Sequence, residues 1–148
     1  MRTYRSAILA NAVTVSATGA EASYIPRFDE PVQAARLTLT IATASGTLTA
    51  IMQRGRPNVA SGDTVFTSST SYTWEDYISF TSASAAATQQ KYITIYTTSN
   101  GTVTPSSGGL ASNQWMGPPI GPGPFRLYYV VSGASAAFTL TAMGEFEF

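Results

Sequence analysis

The chain has 148 residues, with 8 basic and 8 acidic side chains and neither cysteine nor histidine. One domain with its own core is expected at this length, while disulfides, thiolate catalysis, the common zinc ligand sets and histidine acid–base chemistry are excluded. Only 11% of residues are charged, under half the usual share, and the neutral balance gives no general affinity for nucleic acid or for an anionic membrane.

Residues 1–10 carry Arg2, Tyr4 and Arg5 ahead of a short apolar stretch that Asn11 interrupts. That stretch is very short for the apolar part of a signal peptide, and the segment reads as a leading strand or a docking arm, an N-terminal arm preceding a single domain over 11–148. No apolar run approaches the roughly 20 residues of a membrane span. Residues 11–17 alternate weakly and end in a turn at Thr18 and Gly19; Pro26 confines residues 24–26 to an edge segment. The cleanest alternation is 36–42, where Leu37, Leu39 and Ile41 share one face and Arg36, Thr38 and Thr40 the other. With Ala44, Ser45 and Gly46 as a turn and 47–53 returning, this predicts a hairpin. The chain is then loop-like over 54–71, with a short strand near Val65.

A further strand is expected over 72–81, a turn or two of helix over 83–90, and a strand over 91–97. Asn100 and Gly101 form a two-residue hairpin turn signal. Residues 105–124 are dominated by proline and glycine around Trp115 and Met116 and are expected to form an irregular loop. The last signal is a hairpin: 125–131, bulky on both faces and so interior to the sheet, then a link containing Gly133, then 137–143 with Phe138, Leu140 and Ala142 facing the core. Many short strands, frequent turns and little helix define an all-β fold, a β-sandwich of jelly-roll-like or immunoglobulin-like form.

Few residues suggest chemistry. Glu75 and Asp76 adjoin Trp74 and Tyr77, but a glycosidase needs two carboxylates converging from opposite sides of a bond. Strand neighbours point to opposite faces, so the pair reads as a solvated strand end. Asp29, Glu30 and Asp63 lack the regular spacing of a calcium loop. Serine has no histidine to activate it, and Lys91 is the only lysine. No catalytic, metal or cofactor-binding residue is assigned. Arg54 and Arg56 form a small basic patch; lacking a nucleic-acid-binding module, they are expected to pair with acidic groups of a partner subunit. Residues 100–102 match a glycosylation acceptor and equally a tight turn, and the turn is preferred. In the proline-rich loop Trp115, Met116, Ile120 and Phe125 are expected to act as apolar anchors for a partner. Restricted proline backbones lower the entropy lost on docking. The other reading of Trp115 is a plug at one end of the sandwich. The tyrosines Tyr92, Tyr96, Tyr128 and Tyr129 stand between core edge and contact surface.

The segments 13–19, 37–41 with Ser45, Gly46 and Thr47, and 128–141 together resemble the small β-sandwich head decoration (cement) proteins of tailed bacteriophages. Those proteins often close with a Val-Ser-Gly-Thr-Ser-Pro-Ser-Phe-Thr-like hairpin, and here Ala134, Ala136 and Ala137 replace its Thr, Pro or Ser. The resemblance implies a non-enzymatic virion structural protein, made in the host cytoplasm and placed on the capsid surface, where it bridges major capsid protein subunits. It further implies a homotrimer, with the arm (Arg2, Tyr4, Arg5) adding a strand to a neighbour's sheet and the loop around Trp115 docking beside it. A phage tail or head-fibre component is an alternative. A weaker likeness, over 52–57, 79–80 and 92–96, is to the pre-peptidase C-terminal domain. It implies a carbohydrate- or matrix-binding module with Tyr72, Trp74 and Tyr77 as a sugar-stacking platform.

Overall fold

The structure is a computed structural model that describes residues 3–28, 30, 32–57, 72–94 and 124–148. These form six strands and, among the described residues, no helix: β1 (Tyr4–Val15), β2 (Gly19–Ala20), β3 (Ala34–Pro57), β4 (Tyr72–Ser79), β5 (Ala87–Thr94) and β6 (Phe125–Glu147). The all-β class expected from the alternating segments is what the chain adopts. All six strands belong to one antiparallel sheet ordered β1-β6-β3-β4, with β2 joined to β6 and β5 to β3.

The two expected hairpins do not form. Residues 34–54 run as one strand along residues 125–147, from Ala34 opposite Glu147 to Arg54 opposite Phe125. Each long strand changes phase midway instead of reversing. In β3 the core side chains are Leu37, Leu39 and Ile41, then Leu48, Ala50 and Met52; in β6 they are Phe125, Leu127 and Tyr129, then Phe138, Leu140 and Ala142. Register shifts between Ile41 and Thr43 and between Ser45 and Thr47 mark the change. Gly46 (φ 91°) and Gly133 (φ 115°) lie at this point in the left-handed region that glycine tolerates best. A β-carbon on Gly133 would come within 3.0 Å of the Gly46 α-carbon, so the glycines permit two backbones to meet closely. Such irregularities bend a paired strand without ending it.

The bend is large. Phe125 and Phe146 lie near opposite ends of β6, about 70 Å apart in a straight strand, yet their rings stack with centroids 5.6 Å apart. Phe28 packs against both, at 6.2 and 4.7 Å. One half of the sheet contains β1, the end of β6, the start of β3 and β5; the other contains β2, the start of β6, the end of β3 and β4. Side chains from both halves form a single hydrophobic cluster. Burial of this kind is worth about 25 cal/mol per Å² of apolar surface, and it is what closes the sheet on itself.

Two further expectations are corrected. Residues 4–10, read as an arm, are the first part of β1: Leu9 and Ala10 are fully buried, and the ladder extends to reciprocal Thr3–Phe148 backbone hydrogen bonds. Residues 83–90, read as a short helix, contribute an Ala83 bridge to Leu48 and the start of β5. Alanine is a good helix former, but propensity is a weak preference in so short a stretch, and the ladder of residues 87–94 with β3 overrides it. The strand near Val65, the turn at Asn100 and the 105–123 loop lie outside the described residues.

Candidate functional site

Among the described residues β1 is the terminal strand of the sheet, paired with β6 on one side. The direction of its backbone groups follows from the ladder. Thr3 and Phe148 exchange both hydrogen bonds, N to O at 3.5 Å and 2.9 Å. Antiparallel pairs alternate between hydrogen-bonded and non-hydrogen-bonded, so Arg5 and Ala7 direct their N–H and C=O groups into the sheet. Tyr4, Ser6 and Ile8, opposite Glu147, Glu145 and Met143, direct theirs out of the open edge. Natural monomers guard long edges with lysine, proline or bulges. β1 has neither lysine nor proline, and its irregularities, including Ala12 at φ 48°, fall only beyond Ile8.

The side chains of Tyr4, Ser6 and Ile8 stand on the outer face of the same half-sheet. Every exposed large hydrophobic among the described residues lies on this face: Tyr4 (64% exposed), Ile8 (43%), Tyr92 (62%) and Met143 (45%). Register places them side by side. One row runs Ser6, Glu145, Arg36, Tyr92 and the next Ile8, Met143, Thr38, Gln90. At the centre Arg36 and Glu145 form an ion pair at 3.6 Å, both well exposed, a geometry that contributes little to stability.

The expected site residues fare differently. Tyr4 is exposed on this face, whereas Arg5 is engaged inside the chain, 3.5 Å from Glu30 and with its guanidinium 4.9 Å from the Phe148 ring. Phe125, expected as a partner anchor, is instead fully buried in the aromatic cluster, because it begins a core strand rather than ending a loop. Arg54 is half-buried in β3, opposite Glu75 and Phe125. Arg56 faces Thr73 in the ladder, and its side chain lies outside the described residues, as do Arg2, Trp115, Met116 and Ile120.

The expected sugar platform is overturned, since Trp74 and Tyr77 are buried. Glu75 and Asp76, expected to be solvated, are buried as well. The guanidinium of Arg126 sits 4.1 Å from the Trp74 ring centroid. Its Nε donates to Gln53 Oε1 at 2.8 Å, and Gln53 Nε2 donates to Asp76 Oδ1 at 2.8 Å. Burial lowers the Arg126 pKa to about 10, against the opposing influence of Tyr128 and Asp76. A second buried pair ties β6 to the segment after β2: Tyr129 donates its hydroxyl to Glu21 Oε2 at 3.1 Å, and Glu21 Oε1 accepts from the Ser23 amide at 2.9 Å. Burial foremost, and then the Glu21 carboxylate, push the Tyr129 hydroxyl well above its ordinary pKa. These networks hold strands together, since charged groups that are buried need such partners.

Ile8, Arg36, Met143 and Glu145 were not singled out from sequence. The signal existed: Tyr4, Ser6 and Ile8 alternate with inward residues, as do Met143 and Glu145 with Ala142, Gly144 and Phe146. Reading 1–10 as an arm concealed it. Among the described residues no three Asp or Glu side chains gather as a metal site. Comparison with known proteins finds no family model that matches the chain and no matching curated relative.

Proposed function

We propose that this protein is a non-enzymatic structural component that docks onto a protein lattice through the open edge of β1. The carrying observation is the run Tyr4 to Ile8, whose outward backbone groups have no strand opposite them among the described residues. An exposed edge templates strand addition, with main-chain hydrogen bonds supplying affinity and alternate side chains supplying specificity. The resemblance to phage decoration proteins supports the finer reading. The lattice is a bacteriophage capsid, the partner its major capsid protein, and the protein a homotrimer at local three-fold positions. Many copies engaging at once make modest individual contacts sufficient.

Ser6→Pro tests this reading. Proline at position 6 removes an outward N–H while leaving the Arg5 and Ala7 ladder bonds intact. The variant is expected to keep its melting temperature within a few degrees and to lose occupancy on capsids that lack the wild-type protein. Normal occupancy by folded Ser6→Pro would reject the edge as the docking element. Native mass measurement checks the trimer.

A further inference from the structure

The outer face of the β1 half-sheet has features that edge docking does not use. Tyr4 and Tyr92 flank a groove of about 340 Å³ whose floor holds Ala34, Arg36, Glu145 and Glu147. The small Ala34 lies in the Tyr4 row, between Glu147 and Thr94, and makes the depression. A second groove of about 310 Å³ shares Ser6, Arg36 and Glu145 with the first and continues past Gln90 to Met143. Tyr4 and Tyr92 are three strand positions apart and offset by one row, which puts their backbones about 16 Å apart.

We propose that this face binds a neutral oligosaccharide, with Tyr4 and Tyr92 stacking on sugar rings at either end and Arg36, Glu145 and Gln90 hydrogen-bonding hydroxyls between them. A sugar presents an apolar C–H face and a rim of hydroxyls that both donate and accept. The groove offers the complement, exposed aromatic rings around a guanidinium, carboxylates and an amide. The charges select against other ligands. Two carboxylates, Glu145 and Glu147, outnumber Arg36 on the floor, which disfavours nucleic acid and acidic saccharides alike. The 16 Å span matches a ligand of about three sugar rings rather than one.

The test is isothermal titration of the full chain with cellotriose, maltotriose and tri-N-acetylchitotriose, with trigalacturonate as the anionic control. At least one neutral trisaccharide is expected to bind with a Kd near or below about 1 mM, and Tyr92→Ala and Tyr4→Ala each to weaken it about tenfold. Tyr92→Phe, which keeps the ring, should stay within about threefold of wild type. Both tyrosines are largely exposed, so unchanged melting temperatures are expected and will separate lost binding from lost fold. The proposal is overturned if no neutral trisaccharide binds at about 10 mM, if trigalacturonate binds as well as they do, or if the alanine variants bind normally. A dimer that dissociates on Tyr92→Ala would likewise overturn it, by assigning the face to a second copy. Tyr92 lies on β5, three strand positions from the β1 edge, so Tyr92→Ala is expected to leave edge docking intact, and failure of edge docking and failure of this proposal are read separately.

Discussion

A β-carbon on Gly46 would lie 2.6 Å from the Ser132 carbonyl oxygen and 2.9 Å from the Ala136 β-carbon. The backbone there is also in the left-handed region, at φ 91°, where an alanine is strained. Relief would require β3 and β6 to separate at the point where both bend. Gly46→Ala is therefore expected to lower stability by more than about 2 kcal/mol, seen as a fall in the denaturation midpoint. An unchanged midpoint would mean that the bend does not depend on this contact. The Arg126–Gln53–Asp76 chain illustrates the other residue-scale lesson. Glu75 and Asp76 look like a solvated pair in sequence because strand neighbours diverge. Nothing in the sequence near them reveals that Gln53 and Arg126, distant in the chain, supply the partners that allow Asp76 to be buried.

Among the elements, strand identity was legible and strand pairing was not. The alternation of Leu37, Leu39 and Ile41 and of Phe138, Leu140 and Ala142 marks two core faces, and all six side chains are buried. The bulk on both sides of 125–131 correctly marks an interior strand, flanked by β2 and β3. The phase breaks at Gly46 and Gly133 were equally visible, but a break in alternation is the same whether a strand reverses or bends. Choosing between them needs the partner, and here the partner is far away in the chain, as in Ala50 opposite Tyr129. β1 was misread for a related reason: Leu9 and Ala10 are meaningful as core residues only once β6 is alongside. This yields a prediction specific to the element. Deleting residues 1–10 removes two fully buried side chains and the ladder from Tyr4 to Ala10, so the truncated protein is expected to unfold or aggregate. A truncated form with wild-type melting temperature and circular dichroism would restore the arm reading.

At the scale of the whole molecule, buried tyrosine hydroxyls make stability sensitive to alkaline pH. Burial raises the pKa of Tyr77 and of Tyr129 above the ordinary value of 10.0. The folded state then holds two protons that the unfolded chain releases, so their contribution is complete below pH 10 and is lost as pH rises above it. Arg126 acts oppositely: lowered from 12.5 to about 10, it binds fewer protons folded than unfolded in that window and gains stability with rising pH. Two buried hydroxyls against one half-buried guanidinium give a net fall. Between pH 7 and pH 12 the melting temperature is expected to hold level to about pH 9 and to drop beyond pH 10, less steeply in Tyr129→Phe. A melting temperature that rises above pH 10 would contradict this balance.

Residue-resolved hydrogen exchange along β1, free and bound to capsid shells, tests the docking account most directly. The amides of Arg5 and Ala7 are expected to be protected in both states, while those of Tyr4, Ser6 and Ile8 exchange freely in solution and become protected on the shell. If the Tyr4, Ser6 and Ile8 amides exchange as fast on the shell as off it, no strand has been added at this edge and the central claim fails.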